Sequence, residues 1–258
     1  MQRVLFHETV FGPIHSRRLG TSLGVNLSPV DGKVCSFDCL YCEAGFNAQG
    51  PGTSGLPPRQ CVREALENKL RGMKEAGENL DVITFSGNGE PTLHPEFSGI
   101  VDDTIELRDE YFPQVKISVL SNATRLGLPD VDDALRKVDN NILKLDSAIT
   151  STMRLIDRPL SPSYTSEHAI ERIAAFTPEC IVQTMLLRGE YDGKRIDNTT
   201  PEEIAALTEA YVRIAPREVM LYSIDRKTPA ERLEKVSREE LEKVAAGMRE
   251  RGINVLVS

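Results

Sequence analysis

The chain has 258 residues, of which 40% are apolar and 27% are charged, and this balance is ordinary for a globular protein of one large domain or two small ones. No stretch approaches the roughly 18 consecutive apolar residues of a spanning helix, and no secretory signal begins the sequence, so it excludes a membrane-spanning protein and predicts a cytoplasmic location. The formal net charge of −8 disfavours broad nucleic-acid binding, which requires lysine and arginine to neutralise phosphates.

Short apolar runs rich in β-branched residues alternate with longer amphipathic stretches, a pattern typical of repeated strand and helix units around a parallel sheet. The predicted strands cover residues 23–27, 82–86, 115–120, 141–145, 180–187, 219–223 and 253–257. The predicted helices cover residues 59–75, 96–110, 132–137, 166–176, 201–214 and 238–250. This α/β alternation fits an open doubly wound sheet or a partial barrel, and both architectures bind ligands at the carboxyl ends of the strands.

No segment of the chain is typical of a linker between domains, so we expect residues 1–258 to form a single domain. Two long connections interrupt the predicted elements. Residues 31–58, here called the cysteine loop, end in a Gly/Pro-rich stretch, and residues 188–200 form a polar connection after the fifth predicted strand. Long connections in compact domains are usually functional loops, so we predict a loop or lid at residues 188–200.

Three of the five cysteines, Cys35, Cys39 and Cys42, lie within eight positions, and in the cytosol they are expected to stay reduced. Thiolates are soft ligands that select zinc, copper(I) or iron–sulfur clusters. A structural zinc site uses four ligands, and a closed [4Fe–4S] cluster uses four cysteines, so three cysteines leave one iron open to a small molecule. Zinc and a chance grouping remain alternatives. Cys61 and Cys180 are isolated, and we expect both to be small buried residues.

The spacing Cys35-x-x-x-Cys39-x-x-Cys42, with Tyr41 before the last cysteine, resembles the signature of the radical S-adenosylmethionine (SAM) superfamily. The resemblance implies an enzyme with a partial (β/α)6 barrel whose cluster loop follows the first strand. It implies that the three thiolates hold a [4Fe–4S] cluster and that SAM binds the fourth iron. One electron then cleaves SAM to methionine and a 5′-deoxyadenosyl radical, which abstracts hydrogen from a substrate. An electron donor such as flavodoxin or ferredoxin is implied as a partner.

Other segments resemble the SAM-binding elements of this superfamily. Residues 87–90 follow the second predicted strand and resemble its Gly-Gly-Glu motif, with Asn88 as an extra residue. The resemblance implies that Gly87, Asn88, Gly89 and Glu90 bind SAM, with the backbone and the carboxylate meeting the methionine ammonium. Glycine permits a close approach of backbone to ligand. The alternative for this segment is an ordinary turn at the end of a strand. For the polar residues at the ends of the later strands, named next, the alternative is that they only form hydrogen bonds within the protein. The resemblance implies SAM contacts for the further residues Tyr41, Ser121, Asn122, Lys144, Asp146 and Gln183.

Within the superfamily, residues 11–27 resemble the group that includes the wyosine-base synthases of transfer RNA. The sequence shows neither the extra N-terminal cysteines of the archaeal synthases nor the flavodoxin-like domain of the eukaryotic ones. A pI near 5.2 also argues against binding of transfer RNA, because nucleic-acid-binding domains usually carry a basic surface. A tRNA-modifying enzyme is therefore an alternative function, and a non-catalytic iron–sulfur module for redox sensing is an alternative of another class.

Two arginines are candidates for binding an anionic substrate. Arg158 follows the fourth predicted strand and Arg226 the sixth, each in an Asp-Arg segment with a proline shortly after it that would stiffen the loop. Loops after barrel strands build the open face, and a guanidinium matches a carboxylate or phosphate. We therefore predict an anionic substrate, with solvated surface arginines as the alternative. The basic residues that could join them, ahead of the first predicted strand, are His15, Arg17 and Arg18.

Overall fold

The computed structural model describes residues 3–16 and 19–258, and only the backbone of Ser16. The predicted substrate candidates Arg17 and Arg18 lie outside the described residues. The strands are β1 (Val10–Ser16), β2 (Gly20–Val25), β3 (Val82–Phe85), β4 (Lys116–Ser121), β5 (Asn140–Lys144), β6 (Cys180–Met185), β7 (Leu187–Tyr191), β8 (Lys194–Asp197), β9 (Glu218–Tyr222), β10 (Leu233–Lys235) and β11 (Val255–Val257). The helices are α1 (Arg59–Glu75), α2 (Phe97–Tyr111), α3 (Pro129–Lys137), α4 (Thr150–Ile156), α5 (Ser166–Ala174), α6 (Pro201–Ile214) and α7 (Arg238–Glu250).

Eight of the described strands form one sheet in the order β1-β2-β3-β4-β5-β6-β9-β11. Strands β1 and β2 are antiparallel, and every other neighbouring pair in this sheet is parallel. The connections between the parallel strands carry the helices, so the predicted α/β fold with a mostly parallel sheet is confirmed. In this arrangement the loops after β2, β3, β4, β5, β6 and β9 open at one edge, where parallel sheets bind ligands.

Apolar residues at strand and helix periodicity build the core between the sheet and its helices. On β4, Ile117 and Val119 are fully buried in this core. The alternate residue, Ser118, accepts a hydrogen bond from Asn140 on the opposite face, at 2.9 Å, because successive side chains of a strand point to opposite faces. Helix α1 buries four apolar residues at a spacing of three or four positions. None of the described helices is long and apolar enough to cross a membrane.

The prediction of a loop or lid at residues 188–200 is wrong in its secondary structure. Strands β7 and β8 form an antiparallel hairpin, and β10 pairs with β7 to complete a second, three-stranded sheet. The hairpin turns at Asp192 and Gly193, which both have positive φ angles, of 50° and 69°. An Asp-Gly pair is a strong signal for a two-residue hairpin turn, so this signal was present in the sequence.

Strand β1 is a second element that the sequence analysis missed. Because β1 runs antiparallel to β2, its last residues pair with the first residues of β2, and His15 lies opposite Thr21. His15 therefore lies at the amino end of the parallel strands, and its predicted place on the open face is wrong. Cys180 is buried as predicted, and burial raises its pKa to about 11. Cys61 is exposed on α1, contrary to the prediction.

Candidate active site

The three cysteines of the motif lie in the cysteine loop, which follows β2 at the carboxyl ends of the parallel strands. Cys39 is buried, whereas Cys35 and Cys42 are half-buried. Burial and then the nearby Glu90 carboxylate raise the pKa of Cys35 to about 12, and burial also raises the pKa of Cys39. Cys42 contributes to both shifts. The three thiols are therefore close enough to interact electrostatically.

This donor set fits an iron–sulfur cluster. Metal ligands must be deprotonated, so buried thiols with raised pKa values require the positive charge of bound metal. Two N–H groups face the Cys35 sulfur, Phe37 N at 3.5 Å and Asn122 Nδ2 at 3.6 Å, and such hydrogen bonds are known to tune cluster thiolates. Within residues 3–16 and 19–258, no three side chains of His, Cys, Asp or Glu converge on a single metal ion.

Asp38, in the middle of the motif, anchors the cysteine loop. Its carboxylate accepts a hydrogen bond from Asn47 N at 2.6 Å and lies 3.2 Å from the Arg158 guanidinium and 3.7 Å from Lys33 Nζ. Its peptide N–H donates to the Asp157 carbonyl at 3.0 Å, just after α4. The loop is therefore docked on the end of a helix that the sequence analysis did not predict.

Glu90 is buried beside the cysteines, and its carboxylate accepts four hydrogen bonds. Thr92 N, Thr92 Oγ1 and Ser121 Oγ donate to Oε1 at 3.1, 2.6 and 2.9 Å, and Asn122 N donates to Oε2 at 2.6 Å. Burial raises the pKa of Glu90, and these hydrogen bonds oppose the rise. Because Oε2 has only one of the four donors, it keeps a lone pair for a further donor. The structure thus brings the predicted residues Glu90, Ser121 and Asn122 together.

The glycines beside Glu90 are required by contacts within the chain. A Cβ atom on Gly87 would meet Asn26 Oδ1 at 2.3 Å, and one on Gly89 would meet the Val34 carbonyl oxygen at 1.9 Å. Both distances are far below van der Waals contact. Gly89 also forms an isolated parallel bridge with Val34. The absence of a side chain at Gly89 therefore lets the cysteine loop pack against the segment after β3, and its absence at Gly87 makes room for Asn26.

Asn88, the residue inserted in the motif, turns its side chain away from the cysteines. Its Oδ1 accepts from Phe6 N at 2.8 Å, and its Nδ2 donates to the carbonyl oxygens of Phe6 and Pro29 at 2.8 and 2.9 Å. The side chain is completely buried. Its amide therefore holds the N-terminal segment and the residues just before the cysteine loop, and only its backbone adjoins the site.

A buried ionic network lies next to the cysteines at the ends of β5 and α4. Lys144 Nζ hydrogen-bonds Asp146, lies 3.2 Å from Asp157 Oδ1 and stands 4.4 Å from the centre of the Tyr41 ring. Tyr41 Oη also donates to Asp146, and Cys39 Sγ donates to Asp157 at 3.6 Å. Burial acts to lower the pKa of Lys144, but the carboxylates of Asp146 and Asp157 act more strongly and raise this pKa well above its usual value. Lys144 is therefore an ammonium.

Gln183 lies beside Lys144 on the neighbouring strand β6. Its Nε2 donates to Tyr222 Oη at 2.6 Å, whereas its Oε1 is buried and has no hydrogen-bond partner among the described residues. A buried acceptor without a partner costs free energy unless a ligand satisfies it. Gln183 therefore offers a hydrogen-bond acceptor to a bound molecule.

Arg158 is held rigidly above the cysteine loop. Besides the ion pair with Asp38, its guanidinium stacks on the rings of Phe46 and Tyr191, 5.0 and 5.4 Å from their centres. Its backbone has a positive φ of 49°. One nitrogen, Nη1, is buried and has no acceptor within the described part of the chain.

Arg226 has a different environment from Arg158. It pairs with Glu43 at 2.6 Å, and its side chain is 64% exposed. Arg226 borders a surface cavity with residues of the loop after β9, whereas Arg158 borders another with residues 159–162. The structure therefore attaches both arginines to the cysteine loop but does not bring them together in one cavity.

Sequence reasoning missed two residues of this site, Asp157 and Tyr164. Asp157 directly follows the short helix α4, which local sequence signals do not predict, so nothing in the sequence marks it as buried. Tyr164 lies in the irregular segment between α4 and α5, where no motif marks it. The charges of Asp157 and Glu90 nevertheless act on its hydroxyl.

Comparison with protein families and curated sequences gives matches over most of the chain. A sequence model of the family described as the radical SAM superfamily matches residues 30–199. A UPF0026 protein of Synechocystis is 31% identical over 230 residues, which are 86% of this chain and 78% of that protein. A UPF0026 protein of Helicobacter pylori is 30% identical over 187 residues, 71% of this chain and 58% of that protein. A Brachyspira hyodysenteriae protein named GTPase Obg is 30% identical over 91% of this chain, which spans only 32% of its length.

Solved structures show the same fold at low sequence identity. A radical SAM methyltransferase from Sphaerobacter thermophilus aligns with a TM-score of 0.66 and 18% identity, over 92% of this chain and 65% of that one. Streptococcus suis SuiB bound to S-adenosylmethionine aligns with a TM-score of 0.62 and 16% identity, over 91% and 50%. A structure of TYW1 with a lysine–pyruvate adduct aligns with a TM-score of 0.61 and 18% identity, over 90% and 75%.

Proposed function

The chain belongs to the radical SAM superfamily and to the UPF0026 proteins, and from that premise we propose that it cleaves SAM reductively to abstract hydrogen from an anionic substrate. Members of this superfamily are enzymes that bind a [4Fe–4S] cluster and SAM. The cluster, when bound, supplies the electron that cleaves SAM, and a flavodoxin or ferredoxin is the proposed donor of that electron. Cys35, Cys39 and Cys42 are the residues that would hold it.

One observation carries the SAM-binding part of this proposal: the motif cysteines and Glu90 lie at the same edge of the sheet, linked through Asn122. Asn122 Nδ2 faces the Cys35 sulfur, and Asn122 N fixes Glu90 Oε2. A carboxylate held by four donors cannot rotate, so its remaining lone pair is already oriented. We assign that lone pair, with the backbone of Gly87–Gly89, to the methionine ammonium of SAM, as a charge-assisted hydrogen bond.

The buried network beside Lys144 supports the adenosine part of SAM binding. Asp146 accepts a hydrogen bond from the Tyr41 hydroxyl, and Lys144 lies over the Tyr41 ring. We assign the backbone of this anchored residue to contact with adenine. The free Oε1 of Gln183 can accept a hydrogen bond from a ribose hydroxyl. Polar groups ordered before the ligand arrives lower the entropic cost of binding.

The free nitrogen of Arg158 supports an anionic substrate. A buried N–H without an acceptor is costly, and a carboxylate or phosphate oxygen is the acceptor that a guanidinium binds best. The ion pair with Asp38 and the two aromatic rings fix the direction of that nitrogen. Arg226 is exposed and already forms an ion pair with Glu43. We therefore propose that Arg158 binds the substrate and that Arg226 stabilises the position of the cysteine loop.

Transfer-RNA modification of the wyosine type is less well supported. A lysine adduct with a carbonyl compound, such as that named for TYW1, requires a neutral amine. Lys144 is an ammonium between two carboxylates, and the other buried lysine near the cysteines, Lys33, donates to the Gly45 carbonyl at 2.8 Å and lies 3.7 Å from Asp38. Both side chains are therefore already engaged by acceptors of the chain.

The proposal is tested on protein reconstituted anaerobically with iron and sulfide. With dithionite and SAM, the wild type is expected to form 5′-deoxyadenosine, measured by chromatography; a protein that holds about four irons and binds SAM but forms none would contradict radical chemistry. For the substrate site, inorganic phosphate serves as the probe in calorimetry. We expect Arg158→Met to lose phosphate binding and the matched control Arg226→Met to retain it. Equal binding by both variants would contradict the assignment of Arg158.

A further inference from the structure

Tyr164 presents a buried hydroxyl that no group of residues 3–16 or 19–258 satisfies. Its Oη is shielded from solvent and has no hydrogen-bond partner in the described part of the chain. A buried donor left without an acceptor destabilises the folded protein, and phenylalanine would fill the same space without that cost. A hydroxyl kept in such a place indicates an acceptor that arrives with a ligand.

The Tyr164 ring is held in a fixed position beside the motif cysteines. It packs edge-on against Phe37, with ring centres 5.5 Å apart, and stacks on His168 at 6.0 Å. Phe37 lies between Cys35 and Cys39, and its peptide N–H donates to Cys35 Sγ. Edge-on aromatic contacts restrict the ring, so the hydroxyl points in one direction.

The contacts of the ring place it at the edge of the sheet that carries Glu90: Tyr164 packs on Phe37, and the Phe37 N–H and Asn122 Nδ2 both face the Cys35 sulfur. Asn122 N in turn donates to Glu90 Oε2. Burial, the Asp157 carboxylate and the Glu90 carboxylate all raise the pKa of Tyr164, in that order. The phenol therefore stays protonated at neutral pH and acts as a hydrogen-bond donor. It makes no hydrogen bond to either carboxylate. Both carboxylates have other partners. Three donors occupy Glu90 Oε1, and Asp157 Oδ1 is contacted by Cys39 and Lys144.

We infer that Tyr164 Oη donates a hydrogen bond to the carboxylate of the methionine moiety of SAM. This inference rests on the proposed function, in which Glu90 binds the methionine ammonium. The ammonium and carboxylate of an amino acid are attached to the same carbon, so a free donor at the same edge of the sheet as Glu90 suits that carboxylate. The neutral phenol also suits this place, because it adds no charge next to the Lys144 network.

The test compares two tyrosines that differ in their partners. Tyr164→Phe removes the free hydroxyl, and Tyr211→Phe removes a fully buried hydroxyl that hydrogen-bonds Thr184 Oγ1 at 2.6 Å. Both variants and the wild type are reconstituted with the cluster. Iron content, the denaturant midpoint without SAM, the SAM dissociation constant by equilibrium dialysis, and the electron paramagnetic resonance spectrum with and without SAM are measured.

We expect Tyr164→Phe to keep its iron and to unfold at the same or a higher midpoint, while its SAM affinity falls by about 10- to 150-fold. The spectral change on adding SAM should then require a correspondingly higher SAM concentration. Tyr211→Phe should unfold at a lower midpoint but bind SAM within about threefold of the wild type, since its hydroxyl serves the core.

Three results would overturn the inference while leaving the proposed function intact. They are SAM binding by Tyr164→Phe within about threefold of the wild type, a loss of stability like that of Tyr211→Phe, and a loss of iron, which would mean that the hydroxyl serves the cluster instead. A wild-type protein that holds its cluster and does not bind SAM would instead contradict the proposed function itself.

Discussion

Replacement of Asn88 by alanine is expected to destabilise the protein and release its N-terminal segment. The change removes three hydrogen bonds to Phe6 and Pro29. Pro29 is buried, so its carbonyl oxygen is left without a partner, whereas the half-buried peptide groups of Phe6 can turn to water. A buried polar group without a partner costs about 1–3 kcal/mol, and the lost bonds of Phe6 add about 1 kcal/mol. We therefore expect a loss of about 2–4 kcal/mol.

The assay is denaturant unfolding together with hydrogen exchange at the Phe6 amide. In the wild type this amide should be protected, because it donates to Asn88 Oδ1; in Asn88→Ala it should exchange freely. Asn68→Ala is the matched control, because Asn68 is exposed and its side chain accepts a hydrogen bond from the exposed Arg71. This variant should change stability by less than about 0.5 kcal/mol. A loss of stability in Asn88→Ala no larger than in the control, with Phe6 still protected, would refute this reasoning.

Three further predictions concern the cysteines, the SAM ammonium and acid stability. Alanine at all three motif cysteines should remove about four irons per chain, and iron retained by the variant would contradict the cluster assignment. Glu90→Ala should weaken SAM binding by about 10- to 150-fold in calorimetry while the cluster still assembles; unchanged affinity would mean that the segment is only a turn. The Arg59 and Arg63 guanidinium groups on α1 hold the pKa of Asp103 on α2 below its usual value. The interaction of the Asp103 carboxylate with these two arginines therefore stabilises the protein above pH ~4, and this contribution disappears as the pH falls through the lowered pKa of Asp103. Asp103→Asn should cost about 0.5–1 kcal/mol at pH 7 and nothing at a pH below the lowered pKa, as measured by urea unfolding at each pH.

Much of the α/β framework follows from local sequence signals. The helices predicted after Thr200 and Ser237 begin there, and both side chains cap the next turn as their types predict. The seven predicted strands correspond to β2, β3, β4, β5, β6, β9 and β11, because strands buried on both faces form continuous apolar runs. The spacing of the cysteines by itself likewise indicates a site with three thiolates.

Elements whose stability depends on a distant partner were missed. Strand β1 is an edge strand with exposed residues such as Ile14. Strand β10 has three residues and pairs with β7 at the edge of the small sheet. Helix α4 has seven residues and no side-chain cap at Ile149, so its sequence carries little signal. Such short elements form because the rest of the fold supplies their hydrogen bonds and packing.

The sequence by itself determined the order in which chemical groups follow the strands: a cysteine loop after the first parallel strand, an acid after the next, and polar residues after those that follow. Only the tertiary structure decided what each side chain does. Cys39 meets Asp157 from 118 positions away, and Asn122 meets Cys35 from 87. The side chain of Asn88 serves the N-terminal segment, Arg158 keeps a free buried nitrogen, and Arg226 pairs with Glu43 at the surface. Side-chain partners depend on which distant segments share an edge of the sheet, and local periodicity carries no information about that.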